Sequence, residues 1–343
     1  MKILIVKLSS IGDIIHTLPV LSAIRANLPN AKIGWAVERR SAEILRGNPL
    51  IDNLIEINTR SLRGKLIEEI LPETSRQWRE LRRFEFDVAL DFQGLLKSAM
   101  VAKFSRAKRR YGFSNLNLRE PASRFLLDET FDVKAKTHII RKNLELAAKA
   151  LKISVPDKDY EFPVYTDKAH QIEAEKIIAE TSENFAILNP AGGWVTKLWQ
   201  AEKFGELSDR LWEKNGLVSI VTTAPNEREL AEKVLKNSKS GKVFLAQPGL
   251  KGFYELAKRA KIYVGGDTGP THLAVAAGAP TIGIFGPTEW RRNGSANPQD
   301  ICVERTDIAC RIDCHRRTCG NWICMDIAPE TIFNAVQKRL GKM

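Results

Sequence analysis

Gly265 to Thr288 reads GGDTGPTHLAVAAGAPTIGIFGPT, and Lys261-Ile-Tyr-Val264 stands before it. Ile262 to Val264 has the composition of a short buried strand. Gly265-Gly266 is expected to let the backbone turn sharply. Pro270 sits where a helix accepts a residue without an N–H. Thr271 to Ala277 then predicts a short apolar helix, closed by Gly278, and Thr281 to Phe285 the next buried strand. A turn of small residues at a helix N-terminus leaves free N–H groups and the positive dipole end facing outward, which favours an anion such as phosphate. Asp267 and His272 flank that position and offer partners for hydroxyls. An ordinary strand–turn–helix unit with a tight Gly-Gly corner is the competing reading.

The rest of the chain repeats this alternation. Lys2 to Lys7, Lys32 to Val37, Asn53 to Ile57 and Asp87 to Phe92 read as strands. Ile14, Leu18, Leu21, Ile24 and Leu28 recur at helical spacing, with Pro19 either kinking that helix or sitting in its first turn. Glu68 to Phe84 is a charged amphipathic helix, and another starts at His138 and ends near Ala150. Val155 to Asp167, with two prolines and alternating charges, reads as a linker. A second series of strands lies near 185–189, 217–222, 242–245, 262–264, 281–285 and 300–304, and Glu330 to Leu340 predicts a final helix. The expectation is two α/β domains in tandem, 1–165 and 166–325, followed by a terminal helix, 326–343. Ligands of such sheets bind outside the carboxyl ends of the strands. Asp13 follows the first strand there, either as a helix N-cap or as a reacting carboxylate. Lys197 follows the glycine-softened turn Asn189-Pro-Ala-Gly-Gly193, as an exposed lysine or as a point charge for a phosphate. No GxGxxG follows the first strand of either series, which argues against a dinucleotide site.

The chain has 343 residues and a formal charge of +12. Residues 1–165 hold 29 Lys and Arg against 20 Asp and Glu, while residues 166–343 hold 24 against 21. The basic surplus of the first half fits nucleic acid, an anionic membrane surface or a phosphorylated substrate, and a merely soluble basic surface is the alternative. The basic clusters lack interleaved aromatics and match no helix-turn-helix or RNP pattern, so nucleic acid is not expected. Lys7 breaks the N-terminal apolar run and no cleavage pattern follows, so no signal peptide is read there. A cytoplasmic location with reduced cysteines is expected.

Five motifs in order, Lys7-Leu-Ser-Ser-Ile-Gly-Asp13, Asp91-Phe-Gln-Gly-Leu-Leu-Lys-Ser98, Lys197-Leu-Trp199, Gly266-Asp-Thr-Gly-Pro-Thr-His272 and Phe285-Gly-Pro-Thr288, span nearly the whole chain. Together they resemble the heptosyltransferases of glycosyltransferase family 9, which build the inner core of lipopolysaccharide. The resemblance implies a GT-B fold, with two Rossmann-like domains facing across a cleft and a C-terminal helix crossing back to the first. It implies inverting transfer from ADP-L-glycero-β-D-manno-heptose, with no cofactor required. The acceptor would be Kdo-lipid A or a heptosylated lipid, met at the cytoplasmic face of the inner membrane. Carried over residue by residue, Asp13 is the expected base, and Lys197 stabilises the leaving ADP. Gly192, Gly193, Lys197, Glu227, Asp267, Thr268, Gly269 and His272 would hold the donor, with Glu227 on the ribose. Ser10, Gly12, Arg60, Arg63, Lys65, Gln93, Lys97, Arg119 and His138 would face the acceptor. The pattern departs at Gly192-Gly193, where some members carry threonines. Transfer of heptose to protein or another glycan is the rival reading.

The tail Cys310-x3-Cys314-His315-x3-Cys319-x4-Cys324 is set apart. Four Cys and a His within this span have the chemistry of a zinc site, but the spacing is not a pair of CxxC hooks. Free or reversibly paired thiols are the alternative.

Overall fold

The computed structural model describes residues 1–58, 67–114, 118, 120–134, 136–311, 314 and 316–342. Contacts divide the chain into two compact units, Met1–Tyr165 and Thr166–Met343.

The first unit is built on six strands: β1 (Lys2–Val6), β2 (Lys32–Glu38), β3 (Asn53–Ile57), β4 (Val88–Asp91), β5 (Arg109–Phe113) and β6 (Glu129–Phe131). They pair in the order β3-β2-β1-β4-β5-β6, every pairing parallel. β1 reads Lys-Ile-Leu-Ile-Val and buries its last four residues, as a strand covered on both faces must. Leu4, Val6, Ala36, Ile55, Leu81 and Phe86 join in one core cluster. The chain leaves β1 toward β2 on one side and later returns to β4 on the other. The carboxyl ends of β1 and β4 therefore form the switch point of the sheet, where a crevice opens.

The second unit repeats the plan with β7 (Phe185–Asn189), β8 (Val218–Thr222), β9 (Val243–Ala246), β10 (Ile262–Gly266), β11 (Thr281–Phe285) and β12 (Ile301–Glu304). The order is β12-β11-β10-β7-β8-β9, again all parallel. Its switch point lies between β7 and β10. The final helix, Pro329–Arg339, was expected to cross back to the first domain. Its Ile332, Phe333 and Val336 pack in the core of the second unit.

One local alternative is settled, and one local expectation changes. Pro19 lies in the first turn of a helix Leu18–Asn27, separate from a short helix Ile11–Ile15. Within the basic run Arg106–Arg110, Arg109 and Arg110 enter β5 and pair with Val88 and Ala89 of β4. Ion pairs from Lys108 to Asp87 and from Arg110 to Asp128 accommodate that charge. Gly265 and Gly266 are strand residues of β10, not the corner. A Cβ on Gly265 would stand 2.5 Å from the Tyr263 hydroxyl, and one on Gly266 would stand 3.2 Å from the Lys197 carbonyl oxygen. These glycines serve close approach; the chain turns at Asp267 and Thr268.

Candidate functional site

In the first unit, the loop after β1 is tied down by β4. The Gln93 amide oxygen accepts the N–H groups of Leu8 and Ser9 at 3.0 and 3.2 Å, and its nitrogen donates to the Ser9 carbonyl at 2.7 Å. The side chain of Gln93 is thus committed to holding the loop. Lys7 is buried; its Nζ donates to the Phe92 carbonyl at 2.9 Å and stands 3.7 Å from Asp13 Oδ1.

Asp13 occupies the third position of Ile11–Ile15, whose N-cap is Ser10. The capping alternative therefore changes form: Asp13 is not the cap but reaches back to it. The Ser10 backbone N–H and hydroxyl donate to Asp13 Oδ2 at 3.0 and 2.9 Å. The Asp13 side chain remains 42% exposed. Burial works to raise its pKa, but the Lys7 charge, the Ser10 hydrogen bonds and the charge of His16 outweigh it and lower the value to about 2. Asp13 is a carboxylate at neutral pH, with an edge open to solvent.

Gly12 is buried within the same helix. Lys97 Nζ lies 3.7 Å from Oε1 of the buried Glu38. His138 caps the helix Ile139–Leu151 through Nδ1, which accepts the Ile140 N–H at 3.3 Å. Its ring meets that of buried His16 edge-on at 6.1 Å. Arg60, Arg63, Lys65 and Arg119 lie outside the described residues.

Sequence reasoning did not single out Lys7 and Asp91. Asp91 is 1% exposed and accepts the N–H groups of Gln93 and Gly94 at 2.9 and 3.2 Å and the Ser98 hydroxyl at 3.0 Å. Burial raises its pKa to about 6, against those hydrogen bonds and the Lys7 charge. The available signal for Lys7 was a lysine closing an otherwise apolar strand.

In the second unit, Asp267 is the hub. Its Oδ2 accepts Lys197 Nζ at 2.5 Å; its Oδ1 accepts Asn293 Nδ2 at 2.7 Å and lies 3.2 Å from His272 Nε2. Asp267 and His272 are both buried. Burial opposes ionisation here too, but the His272 hydrogen bond and charge and the Lys197 ammonium hold the carboxyl far below its usual range. Lys197 also sits 4.3 Å over the Trp194 ring, a further cation-stabilising contact. It is therefore a held charge, not a loose exposed lysine.

Thr268 caps the helix Gly269–Ala276, its hydroxyl accepting the Thr271 N–H at 3.4 Å. Pro270 has no N–H, and Gly269 N–H has no partner among the described residues. The helix end beside Lys197 and Asp267 is thus open to an anion. Gly193 is exposed with free space where a Cβ would be, while a Cβ on Gly192 would stand 2.9 Å from Leu198. Glu227 sits after β8, its Oε2 accepting the Ala224 N–H at 3.2 Å. At or beyond the carboxyl ends of β7, β8 and β11, Asn189 Oδ1, Thr223 Oγ1 and Thr288 Oγ1 are buried without a hydrogen-bond partner among the described residues. Groups left so in a folded chain commonly await a ligand or water. None of the three stood out in the sequence, because their burial is tertiary.

The family model of glycosyltransferase family 9 (heptosyltransferase) matches residues 74–342. The chain belongs to glycosyltransferase family 9. Lipopolysaccharide heptosyltransferase 1 of Pseudomonas aeruginosa is 28% identical over 320 residues, covering 93% of this chain and 87% of that protein. Its namesake in Escherichia coli K12 is 27% identical over 290 residues, covering 84% and 89%. Among solved structures, E. coli heptosyltransferase WaaC with ADP superposes with a TM-score of 0.76 at 23% identity, covering 100% of this chain and 99% of that one. WaaC with ADP-2-deoxy-2-fluoro heptose gives 0.71 at 26% identity, covering 84% and 90%. This family 9 glycosyltransferase thus has the two parallel-sheet domains of its GT-B relatives.

Proposed function

We propose that this glycosyltransferase moves L-glycero-D-manno-heptose from ADP-heptose to the inner core of lipopolysaccharide, with inversion. The observation that carries the reading is the Lys197–Asp267–His272 hub beside the open N-terminus of Gly269–Ala276. Relatives named lipopolysaccharide heptosyltransferase 1, and WaaC solved with ADP and with a fluorinated ADP-heptose, support the donor and acceptor classes.

In this scheme Asp13 accepts the proton of the acceptor hydroxyl as that oxygen bonds to the anomeric carbon. The bond from that carbon to the diphosphate breaks with its electrons going to ADP. Lys197 and the Thr268–Gly269 helix end meet the growing charge where it develops. Gly192 and Gly193 border the diphosphate, Asp267 and His272 the heptose, and Glu227 the ribose. No step calls for a metal. Ser10, Gly12, Gln93, Lys97 and His138, with Arg60, Arg63, Lys65 and Arg119, serve the anionic acceptor side. Gln93 acts there by holding the Leu8–Ser9 loop.

The lipid acceptor places the enzyme at the cytoplasmic face of the inner membrane as a peripheral protein. No helix among the described residues is long and apolar enough to cross a membrane. Leu96 and Met100, 42% and 44% exposed, share one face of the helix Leu96–Phe104, and Phe125, 75% exposed, lies on the adjoining turn Pro121–Leu126. Exposed Lys103, Arg106 and Arg124 surround them in sequence, a composition suited to an anionic bilayer surface.

Turnover of ADP-heptose against Kdo-lipid A, a heptosylated core, a protein and a neutral glycan, read by mass spectrometry, tests the reading. A heptose added to Kdo-lipid A or to the heptosylated core supports it; one added only to protein or the glycan overturns the acceptor assignment.

A further inference from the structure

The cysteine-rich tail has no part in the scheme above, yet it is not a loose appendage. Cys310, Cys314, Cys319 and Cys324 all line one small cavity of about 20 Å³, together with Thr196 and Arg316. Between β12 and the helix Pro329–Arg339, the stretch that carries them has, among its described residues, one short 3-10 turn, Ala309–Arg311. A segment so poor in regular structure supplies little cooperative stability of its own. It nonetheless grips the turn that presents Lys197. The Trp322 indole N–H donates to the Thr196 carbonyl at 3.0 Å, and the Thr196 hydroxyl donates to the Arg316 carbonyl at 2.6 Å. Arg317 lies 5.5 Å from the Trp194 ring, whose neighbour Lys197 it resembles in placement.

All five cysteines are free thiols. The fifth, Cys302, lies on β12, where its Sγ donates to Glu304 at 3.3 Å, and does not line the cavity. A cation bound there would take the four side chains as thiolates, since a coordinated thiol is deprotonated outright.

We propose that Cys310, Cys314, Cys319 and Cys324 bind one thiophilic divalent metal ion, of the zinc or ferrous class, as a structural staple that holds the tail against the Trp194–Lys197 turn. Four sulfur ligands suit tetrahedral zinc or iron. The four thiols lose their protons to solvent, four metal–sulfur bonds form, and no electron is transferred. Arg316 at the cavity wall offsets the surplus negative charge of the tetrathiolate. As placed, no three of the described His, Cys, Asp or Glu side chains form a ready cage, so the thiols rotate inward on binding, with metal–sulfur bonds of about 2.3 Å. The ion's role is to fix the segment behind Lys197; it touches no reacting atom.

The test uses the full chain, purified anaerobically under reducing conditions from cells supplied with zinc and iron salts. Metal content is measured by plasma mass spectrometry for wild type, Cys302→Ser, Cys314→Ser and the fourfold Ser variant of the cavity cysteines. One ion per chain is expected in wild type and in Cys302→Ser, with loss in the other two. To separate loss of the ion from failure to fold in those two, wild type is also stripped with a chelator and refilled with cobalt. Thiolate-to-cobalt charge-transfer absorption should appear, and hydrogen exchange at Trp194–Trp199 and Trp322–Met325 should rise on stripping and fall on refilling. A wild-type chain with no bound metal, whether its thiols are free or paired as disulfides, would overturn the proposal. So would an ion retained by the fourfold variant, or cobalt that binds without sulfur ligation. None of these readouts depends on heptose transfer, so the donor reading stands or falls separately.

Discussion

Asp13 in the first unit and Asp267 in the second both lie beside a lysine, just beyond the strands at a switch point, and they are built for opposite tasks. Asp13 is 42% exposed, with Lys7 at 3.7 Å and Ser10 on one oxygen. Asp267 is buried, with Lys197 at 2.5 Å and Asn293 and His272 on the other oxygen. An open carboxylate can take a proton from something that arrives. An enclosed one, with both oxygens engaged, orients the groups that hold it. The difference teaches that charge pairing alone does not single out a carboxylate able to take a proton; accessibility does. Asp91 completes the lesson, since full burial with no salt-bridge partner among the described residues drives the same side chain the other way, to about 6.

The enclosed centre should break hardest. Lys197→Met removes the cation proposed to meet the leaving diphosphate, and loss of one such group typically costs ~100- to 1,000-fold in kcat. It also strips a buried carboxylate of its ion-pair partner, which typically destabilises by ~3–5 kcal/mol. Steady-state kinetics and denaturant melts of the same variant check both. A large rate loss with an unchanged melt would mean that Asp267 does not depend on Lys197.

The two carboxylates of the first unit should part in their response to pH. Asp13 has a folded pKa below its ordinary value of 3.8, so its contribution to stability is present above pH ~4 and fades as pH falls toward 2. Asp91 has a folded pKa above its ordinary value, so its contribution is full below pH ~4 and is lost as pH rises through 6. A shift of about two units corresponds to roughly 3 kcal/mol. Asp91→Asn should therefore flatten the decline in stability between pH 4 and 6, as measured by urea melts at several pH values. An unaltered slope would place the titrating group elsewhere.

The smallest effect is expected at the membrane. Met100→Ser with Phe125→Ser should weaken binding to anionic liposomes by roughly tenfold, from the loss of partly buried apolar area. Raised salt should weaken the wild type further. Flotation with neutral and anionic vesicles checks this, and equal binding to both vesicle types would contradict the electrostatic part.

Much of the frame was legible because the strands are short apolar runs bounded by Gly, Pro and Asp. β10, the helix after it and β11 could be read directly, as could the first-turn place of Pro270 and the closing role of Gly278. β5 was not legible, since Arg109 and Arg110 look like surface charge until Asp128 and the neighbouring strand are in place. The purpose of Gly265 and Gly266 was misread for a related reason: what crowds them is Tyr263 and the Lys197 backbone, one across the pleat and the other distant in sequence. At the site, motif residues such as Asp13, Lys197, Asp267 and His272 carried their chemistry in their type. Lys7, Asp91, Asn189, Thr223 and Thr288 did not, because their significance rests on burial and on which partners they have or lack.

The most direct test of the open carboxylate is Asp13→Asn, followed at once by melting, donor binding and turnover. An amide still accepts the Ser10 hydrogen bonds but cannot take a proton. The account predicts a near-normal melting curve, ADP-heptose affinity close to wild type, and a loss of at least ~100-fold in turnover. A variant that keeps more than half the wild-type rate would contradict it, returning Asp13 to its part in the Ser10 cap and leaving the proton acceptor to be found elsewhere.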